Sequence, residues 1–367
     1  MKKVLILTTS YGQGHMATAL AISEGILSNY KKEIDVEIVD FTDIISSLLN
    51  KTTKRMYLGT AKYAPSLYKL FFELTDTETT SKAINELNYI FSREKILNFF
   101  VDKSPDLIIC NSPHWQYIAS LARQEEFKNV PMVSVITDMI TIHASWVLGD
   151  PDHYLVANKE TSKSLHAIGV SNKKIKVLGY PVKNAFYNRT NKQPILDQLG
   201  IHKHQRMILM MASSLKPSFV QSTLDKIDKL NLKTKTVVIA GGDEKIFGKL
   251  KSPKHKDTML INWTNNLADF IIASDIVITK AGGSSIMECI VSRKPVVICK
   301  IIPGQEEGNA DFISENKLGM VALDPPLIAE AIHQIMDQYE IYTENLKEHT
   351  KNGSIRDISK FLISLIG

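Results

Sequence analysis

Ile276-Val277-Ile278-Thr279 runs directly into Lys280-Ala281-Gly282-Gly283-Ser284-Ser285-Ile286-Met287-Glu288-Cys289, and this junction decides the fold. The β-branched run suits a pleated, buried strand. The two glycines allow a tight turn, and the apolar segment after them has helical length. A second junction of the same kind stands at the other end of the chain, where Val4–Thr8 leads into Ser10-Tyr11-Gly12-Gln13-Gly14-His15-Met16-Ala17. Between and around these two, further short apolar runs alternate with helical stretches: Val36–Val39, Leu107–Cys110, Met132–Ile136, Tyr154–Ala157, Lys176–Leu178, Met207–Met211, Thr236–Ala240 and Val296–Cys299. Continuous apolar strands alternating with helices predict parallel sheets covered on both faces. Ten such strands exceed one mononucleotide-binding unit, so the expectation is an α/β protein of two Rossmann-like doubly wound domains. The break is placed at Gly179-Tyr180-Pro181 and the polar stretch after it. That gives domains at residues 1–185 and 186–349, with a C-terminal helix at about 350–367 packing back on the first.

Composition fits a soluble enzyme of that size. The chain has 367 residues, 44 Lys plus Arg against 39 Asp plus Glu, 44% hydrophobic and 23% charged residues. These values exclude disordered, collagenous and coiled-coil classes. A formal charge of +5 is mild, and no nucleic-acid partner is expected. Cys110, Cys289 and Cys299 are too few and too scattered for a disulfide scaffold or a four-ligand zinc site. Met1-Lys2-Lys3 imitates the start of a signal peptide, but the apolar run stops at Thr8, and no stretch reaches the ~18 apolar residues of a membrane span. A cytoplasmic protein, peripheral on the inner face of the membrane, is the expectation.

Both glycine loops can hold phosphate on helix N-terminal N–H groups. The first, with Asp40 closing the next strand, has the spacing of a dinucleotide fingerprint, which brings in a nicotinamide dehydrogenase. His15 fits that reading poorly, because an imidazole at the helix start competes for space with a pyrophosphate. It suits a general base or a donor to a substrate oxygen. In the second loop Ser284 and Ser285 can cap the helix or bond phosphate, and Glu288 can accept from both hydroxyls of a ribose. Pro303-Gly304-Gln305-Glu306-Glu307-Gly308-Asn309 leaves another strand at its C-terminal end, where ligands of open α/β sheets bind. Asp150-Pro151-Asp152 reads as a proline turn and the histidines lack paired ligand spacing, so no metal is expected.

Lys280 to Glu288, followed by Pro303 to Asn309, resembles the UDP-sugar site of family 28 glycosyltransferases. Gly12-Gln-Gly-His15 with Ala17 and Ala19-Leu20 is similar to their monogalactosyldiacylglycerol synthase branch, which includes the bacterial diacylglycerol glucosyltransferases. Thr137-Asp138 with His143 and Trp146, and Gly179-Tyr-Pro181-Val, continue the likeness in one order over roughly residues 3 to 325. The resemblance implies a GT-B fold, two facing Rossmann-like domains with an interdomain cleft, and an inverting hexosyltransferase. By the same resemblance His15 and Asp138 are catalytic, and Gly14, Ser213, Lys280, Gly282, Gly283, Ser284, Ser285 and Asn309 line the nucleotide-sugar site. Glu288 takes the ribose, Gln305 and Glu306 the sugar hydroxyls, and Trp263 and Thr264 the uracil. The donor is a UDP-hexose, the acceptor diacylglycerol or a glycosyldiacylglycerol, and no further cofactor is implied. The chain departs from the pattern at Ala212-Ser213-Ser214-Leu215, where a glycine-rich loop is usual, and at Asn111-Ser-Pro113-His114, which inverts a His-Pro order.

Residues 44 to 72 contain no acid. Lys51, Lys54, Arg55, Lys62 and Lys69 alternate there with Tyr57, Tyr63, Tyr68, Phe71, Phe72 and several leucines. Such a strip suits an anionic membrane surface, where a lipid acceptor would be met. Three other readings stay open from the sequence. They are N-acetylglucosamine transfer to a polyprenyl-linked intermediate, a UDP-sugar sensor without chemistry, and the dehydrogenase, which leaves residues 280 to 309 without a role.

Overall fold

The computed structural model describes residues 1–10, 14–40, 44, 65–187, 192–202, 205–250, 257–350 and 353–367. Gly12, Lys51, Lys54, Arg55, Tyr57 and Lys62 lie outside these. Among the described residues the chain forms two six-stranded, fully parallel sheets. It divides into two compact units, one of residues 1–184, 302–308 and 352–367 and one of residues 185–301 and 309–351.

In the first unit the strands are β1 (Lys2–Thr8), β2 (Ile34–Asp40), β3 (Leu107–Cys110), β4 (Met132–Val135), β5 (His153–Val156) and β6 (Ile175–Val177), ordered β2-β1-β3-β4-β5-β6. The order reverses between β1 and β3, which opens a crevice at their C-terminal ends. All four residues of β3 and of β4 are buried, as expected of strands covered on both faces. The second unit has β7 (Arg206–Met211), β8 (Thr234–Ile239), β9 (Thr258–Ile261), β10 (Ile276–Lys280), β11 (Val296–Lys300) and β12 (Gly319–Val321), ordered β12-β11-β10-β7-β8-β9. Its crevice lies between β7 and β10. The sequence reading missed β12, a three-residue edge strand. Its first residue must be glycine, because a Cβ on Gly319 would stand 2.0 Å from the carbonyl oxygen of Val296.

Helix Ile355–Ser364 packs in the first unit, burying Ile355, Ile358, Ser359 and Leu362. It seats on helix Gly14–Tyr30 at Gly25, where a Cβ would meet Ile355 Cγ1 and Ser359 Oγ, each at 2.5 Å. Ser359 cannot swing aside, since its buried hydroxyl donates to Ile355 O at 2.7 Å. Alanine normally stabilises a helix by about 1 kcal/mol over glycine. Here overpacking of roughly 1–3 kcal/mol wins. Gly25→Ala therefore lowers the thermal midpoint, as calorimetry would record.

The loop Pro303–Glu307 belongs with the first unit, although the sequence expectation placed residues 186–349 together. Tyr68, Lys69 and Thr141 hold it there through side chains far away in the chain.

Candidate functional site

His15 stands in the first turn of helix Gly14–Tyr30, at the β1/β3 crevice. Its Nδ1 lies 2.8 Å from the backbone oxygen of Asn111, which follows β3, and the Asn111 amide donates back to His15 O at 2.6 Å. A carbonyl only accepts, so Nδ1 carries the hydrogen and Nε2 holds the lone pair. Thr137 Oγ1, just past β4, is 3.2 Å from the same Nδ1. Burial pushes the His15 pKa below its usual value, against the opposing pull of Asp138 and of the Asn111 carbonyl. The imidazole is thereby kept neutral near pH 7 and able to take a proton.

Asp138 accepts from the indole N–H of Trp146 at 2.7 Å and is bonded by the Gln305 side chain. Trp146 itself is fully buried. Desolvation raises the Asp138 pKa, while Trp146, His15, Gln305 and His143 oppose the rise. His143 receives the backbone N–H of Ser145 on Nδ1 at 3.2 Å. Its Nε2 is 3.3 Å from Thr75 Oγ1, and Phe72 meets its ring edge-on at 4.8 Å. His114 joins this group. Burial and the neighbouring His143 and His15 push its pKa down to about 4. Sequence reasoning gave His114 no role because of the inverted Pro-His order. Its placement follows from helix Pro113–Glu126 starting at the C-terminal end of β3.

Gln305 and Glu306, read in sequence with the sugar-nucleotide residues, lie in the first unit with His15 and Asp138. Gln305 accepts from the Tyr68 hydroxyl at 2.9 Å. Glu306 is buried, and its carboxylate accepts from the backbone N–H of Ile302 at 3.0 Å, which shapes the loop.

The other predicted residues gather at the C-terminal edge of the second sheet. Lys280 ends β10, Gly282 caps helix Gly283–Val291, and Ser284 and Ser285 stand in its first turn with Glu288 one turn further on. Asn309 is buried and donates to Ala281 O at 2.8 Å, which fixes the turn before the glycines. The loop after β7 takes the glycine conformation without glycine. Ser214 has φ +70°, at a cost of roughly 1–2 kcal/mol for a residue with a Cβ, and Lys300 Nζ holds its carbonyl at 3.1 Å. Glycines were overlooked in the next loop: Gly241 and Gly242, after β8, have φ +66° and +78°. A Cβ on Gly241 would sit 2.9 Å from Ser213 Cβ, and one on Gly242 3.6 Å from Trp263. The signal available in sequence was a Gly-Gly pair at a strand end. Trp263 is 54% exposed beside Gly242, and Thr264 Oγ1 accepts from Asn266 N at 3.0 Å.

Asp150 and Asp152 form the expected turn: Asp152 accepts from Met132 N at 2.8 Å and pairs with Arg123, while Asp150 pairs with Lys174. Among the described residues no cluster of three His, Cys, Asp or Glu could hold a metal ion.

The first unit thus presents a neutral histidine with Asp138 among its charged neighbours, and the second a glycine-serine helix start and, three strands away on the same sheet, an exposed tryptophan. Comparison with known proteins also divides the chain in two. Residues 15–182 match the monogalactosyldiacylglycerol (MGDG) synthase family, and residues 208–361 match the glycosyltransferase family 28 C-terminal domain. A processive diacylglycerol beta-glucosyltransferase of Staphylococcus epidermidis is 26% identical over 381 residues, spanning 100% of this chain and 93% of the relative. The solved glycotransferase of kitacinnamycin superposes with a TM-score of 0.68 at 12% identity, covering 100% of this chain and 99% of that one. MurG of Acinetobacter baumannii does so with a TM-score of 0.62 at 10% identity, covering 99% and 100%. Likeness at such identity speaks for the fold alone, which is GT-B, built of two Rossmann-like domains. Matched along both halves in order, the chain carries a monogalactosyldiacylglycerol (MGDG) synthase family segment followed by a glycosyltransferase family 28 C-terminal domain.

Proposed function

We propose that this chain transfers a hexose from a UDP-sugar to diacylglycerol or a glycosyldiacylglycerol at a membrane surface, inverting the anomeric centre. The observation that carries the chemistry is His15, whose Nδ1 is bound to the Asn111 carbonyl so that Nε2 is left as the base. The name of the staphylococcal relative supports the acceptor class. In the reaction the acceptor hydroxyl oxygen bonds to the anomeric carbon as the bond from that carbon to the phosphate oxygen breaks. The bonding pair leaves with UDP, and the hydroxyl proton passes to His15 Nε2. Asp138, ionised, stabilises the imidazolium that forms. Gly282, Gly283, Ser284 and Ser285 at the helix start, with Lys280, offset the charge growing on the diphosphate. Glu288 takes the ribose hydroxyls, and Trp263 with Thr264 takes the uracil. Gly14 and Ser213 are further proposed contacts of the nucleotide sugar, each on its own unit, and Asn309 holds the turn at Ala281. The step needs no cofactor beyond the donor.

A membrane surface as partner is supported by helix Glu78–Lys103, whose first half is amphipathic in the reverse sense. It buries Ser81, Asn85 and Ser92 beside Tyr89 and exposes Leu87 at 56%, Ile90 at 66% and Phe91 at 85%. An apolar face turned to water marks an interaction site. No helix among the described residues is long and apolar enough to cross a membrane, so contact would be peripheral. Phe91→Glu should weaken sedimentation with anionic vesicles severalfold while leaving the thermal midpoint unchanged, since the side chain packs on little.

The test is UDP release from UDP-glucose and from UDP-galactose, with and without diacylglycerol in anionic vesicles, with analysis of the lipid product. Release that needs one donor and the lipid establishes the transferase and names its sugar. Tight UDP binding with no release on any lipid sinks the diacylglycerol reading.

A further inference from the structure

We propose that Tyr68 is a positioning residue for sugar transfer, holding the Gln305 side chain against Asp138 beside His15. The inference rests on the reading of His15 and Asp138 as the proton-transfer pair. The sequence put Tyr68 among the aromatics of a membrane-facing strip. In the structure it is 3% exposed, on helix Pro65–Thr75, with its hydroxyl turned to the Pro303–Glu307 loop.

The hydrogen-bond directions determine the arrangement. Gln305 Oε1 can only accept, so the Tyr68 hydroxyl donates to it, at 2.9 Å. The Asp138 carboxylate also only accepts, so the Gln305 bond to it comes from the amide Nε2. Two partners of opposite demand thus set one orientation of the amide, and flipping it would place oxygen against carboxylate. Trp146 supplies the second donor to Asp138, at 2.7 Å. A carboxylate gripped by two neutral donors is fixed in direction without losing its charge, which is what a partner to a protonating imidazole needs.

Neighbouring residues of the same helix hold the loop in reach. Phe72 lies against Gly304, which has φ +81° and where a Cβ would come within 2.8 Å of the ring. Lys69 pairs with Glu307 at 3.2 Å. These contacts place the loop, whereas the Tyr68 hydroxyl donates to the amide oxygen itself, so phenylalanine at 68 keeps the packing and loses that bond.

The experiment is a double-mutant cycle on the full chain with Tyr68→Phe, Gln305→Ala and the pair, measuring kcat, donor KM and thermal midpoint. Tyr68→Phe is expected to lower kcat about tenfold, the worth of one oriented hydrogen bond, with donor KM and midpoint unchanged. The pair should be no slower than Gln305→Ala alone, because Tyr68 acts through that side chain. Full kcat in Tyr68→Phe, or losses that multiply in the pair, overturns the proposal. A second arm does not depend on turnover. The side-chain amide NMR signal of Gln305, assigned by its loss in Gln305→Ala, should move in Tyr68→Phe and in Asp138→Asn. An amide signal that stays put in both also overturns it. A wild-type chain that transfers no sugar while the signal moves overturns the transfer reading instead, and with it Tyr68's part in catalysis.

Discussion

Replacing His15 by alanine lowers kcat by roughly 10²–10⁴-fold, the usual worth of a positioned general base, and leaves UDP affinity where it was. The residue lies at the first sheet's crevice, and the residues proposed for the diphosphate belong to the other unit. Loss of the imidazole therefore removes proton transfer without removing a donor contact. The pH profile adds a sign. Burial lowers the His15 pKa from 6.5, so the base form is complete above that value. In the wild type kcat/KM falls only as pH drops through the lowered pKa, on the acid side of 6.5. His15→Ala should lose that acid limb altogether. Stopped-time UDP release across pH 4 to 8, with isothermal titration of UDP, checks both halves, and wild-type turnover by the mutant refutes the role.

Gly283→Asp should do the opposite, weakening UDP binding on the order of 10²-fold or more while His15 stays intact. A carboxylate in the first turn of helix Gly283–Val291 faces the position proposed for the diphosphate. Two unit charges about 4 Å apart near a protein surface repel by roughly 4 kcal/mol at an effective dielectric constant of 20. An acid at a helix start is otherwise favourable, so the fold should survive and the thermal midpoint should hold. Calorimetric titration with UDP measures the loss directly. Unchanged affinity would move the donor site away from this helix. Together the two variants separate a rate effect in one unit from a binding effect in the other.

What local sequence carries, it carried well here. Strand–glycine–helix junctions at Val4–Thr8 and Ile276–Thr279 are contiguous patterns, set by β-branched periodicity and by backbone turns only glycine allows. They predicted two parallel sheets, the place of His15 at a helix start, and the Gly282–Ser285 turn, and each element lies where expected. A three-residue edge strand at Gly319 has too little period to stand out. The Gly241–Gly242 pair carries the same local signal one strand later than the expected loop after β7. Ser214 shows why it was absent there: a lysine from β11 holds the left-handed backbone that glycine usually supplies.

The amino-acid order by itself determined the fold class and the place of His15 at a helix start, because each of these depends on residues within about one turn or strand of one another. Only the tertiary structure decided which nitrogen of His15 keeps the lone pair, through the distant Asn111 carbonyl. It also decided that His114 is held where His15 and His143 depress its pKa, and that Gln305 accepts from Tyr68 and belongs with the first unit. These are contacts between groups tens to hundreds of positions apart. Their directions depend on burial and on which group can donate, and neither property is written in local sequence.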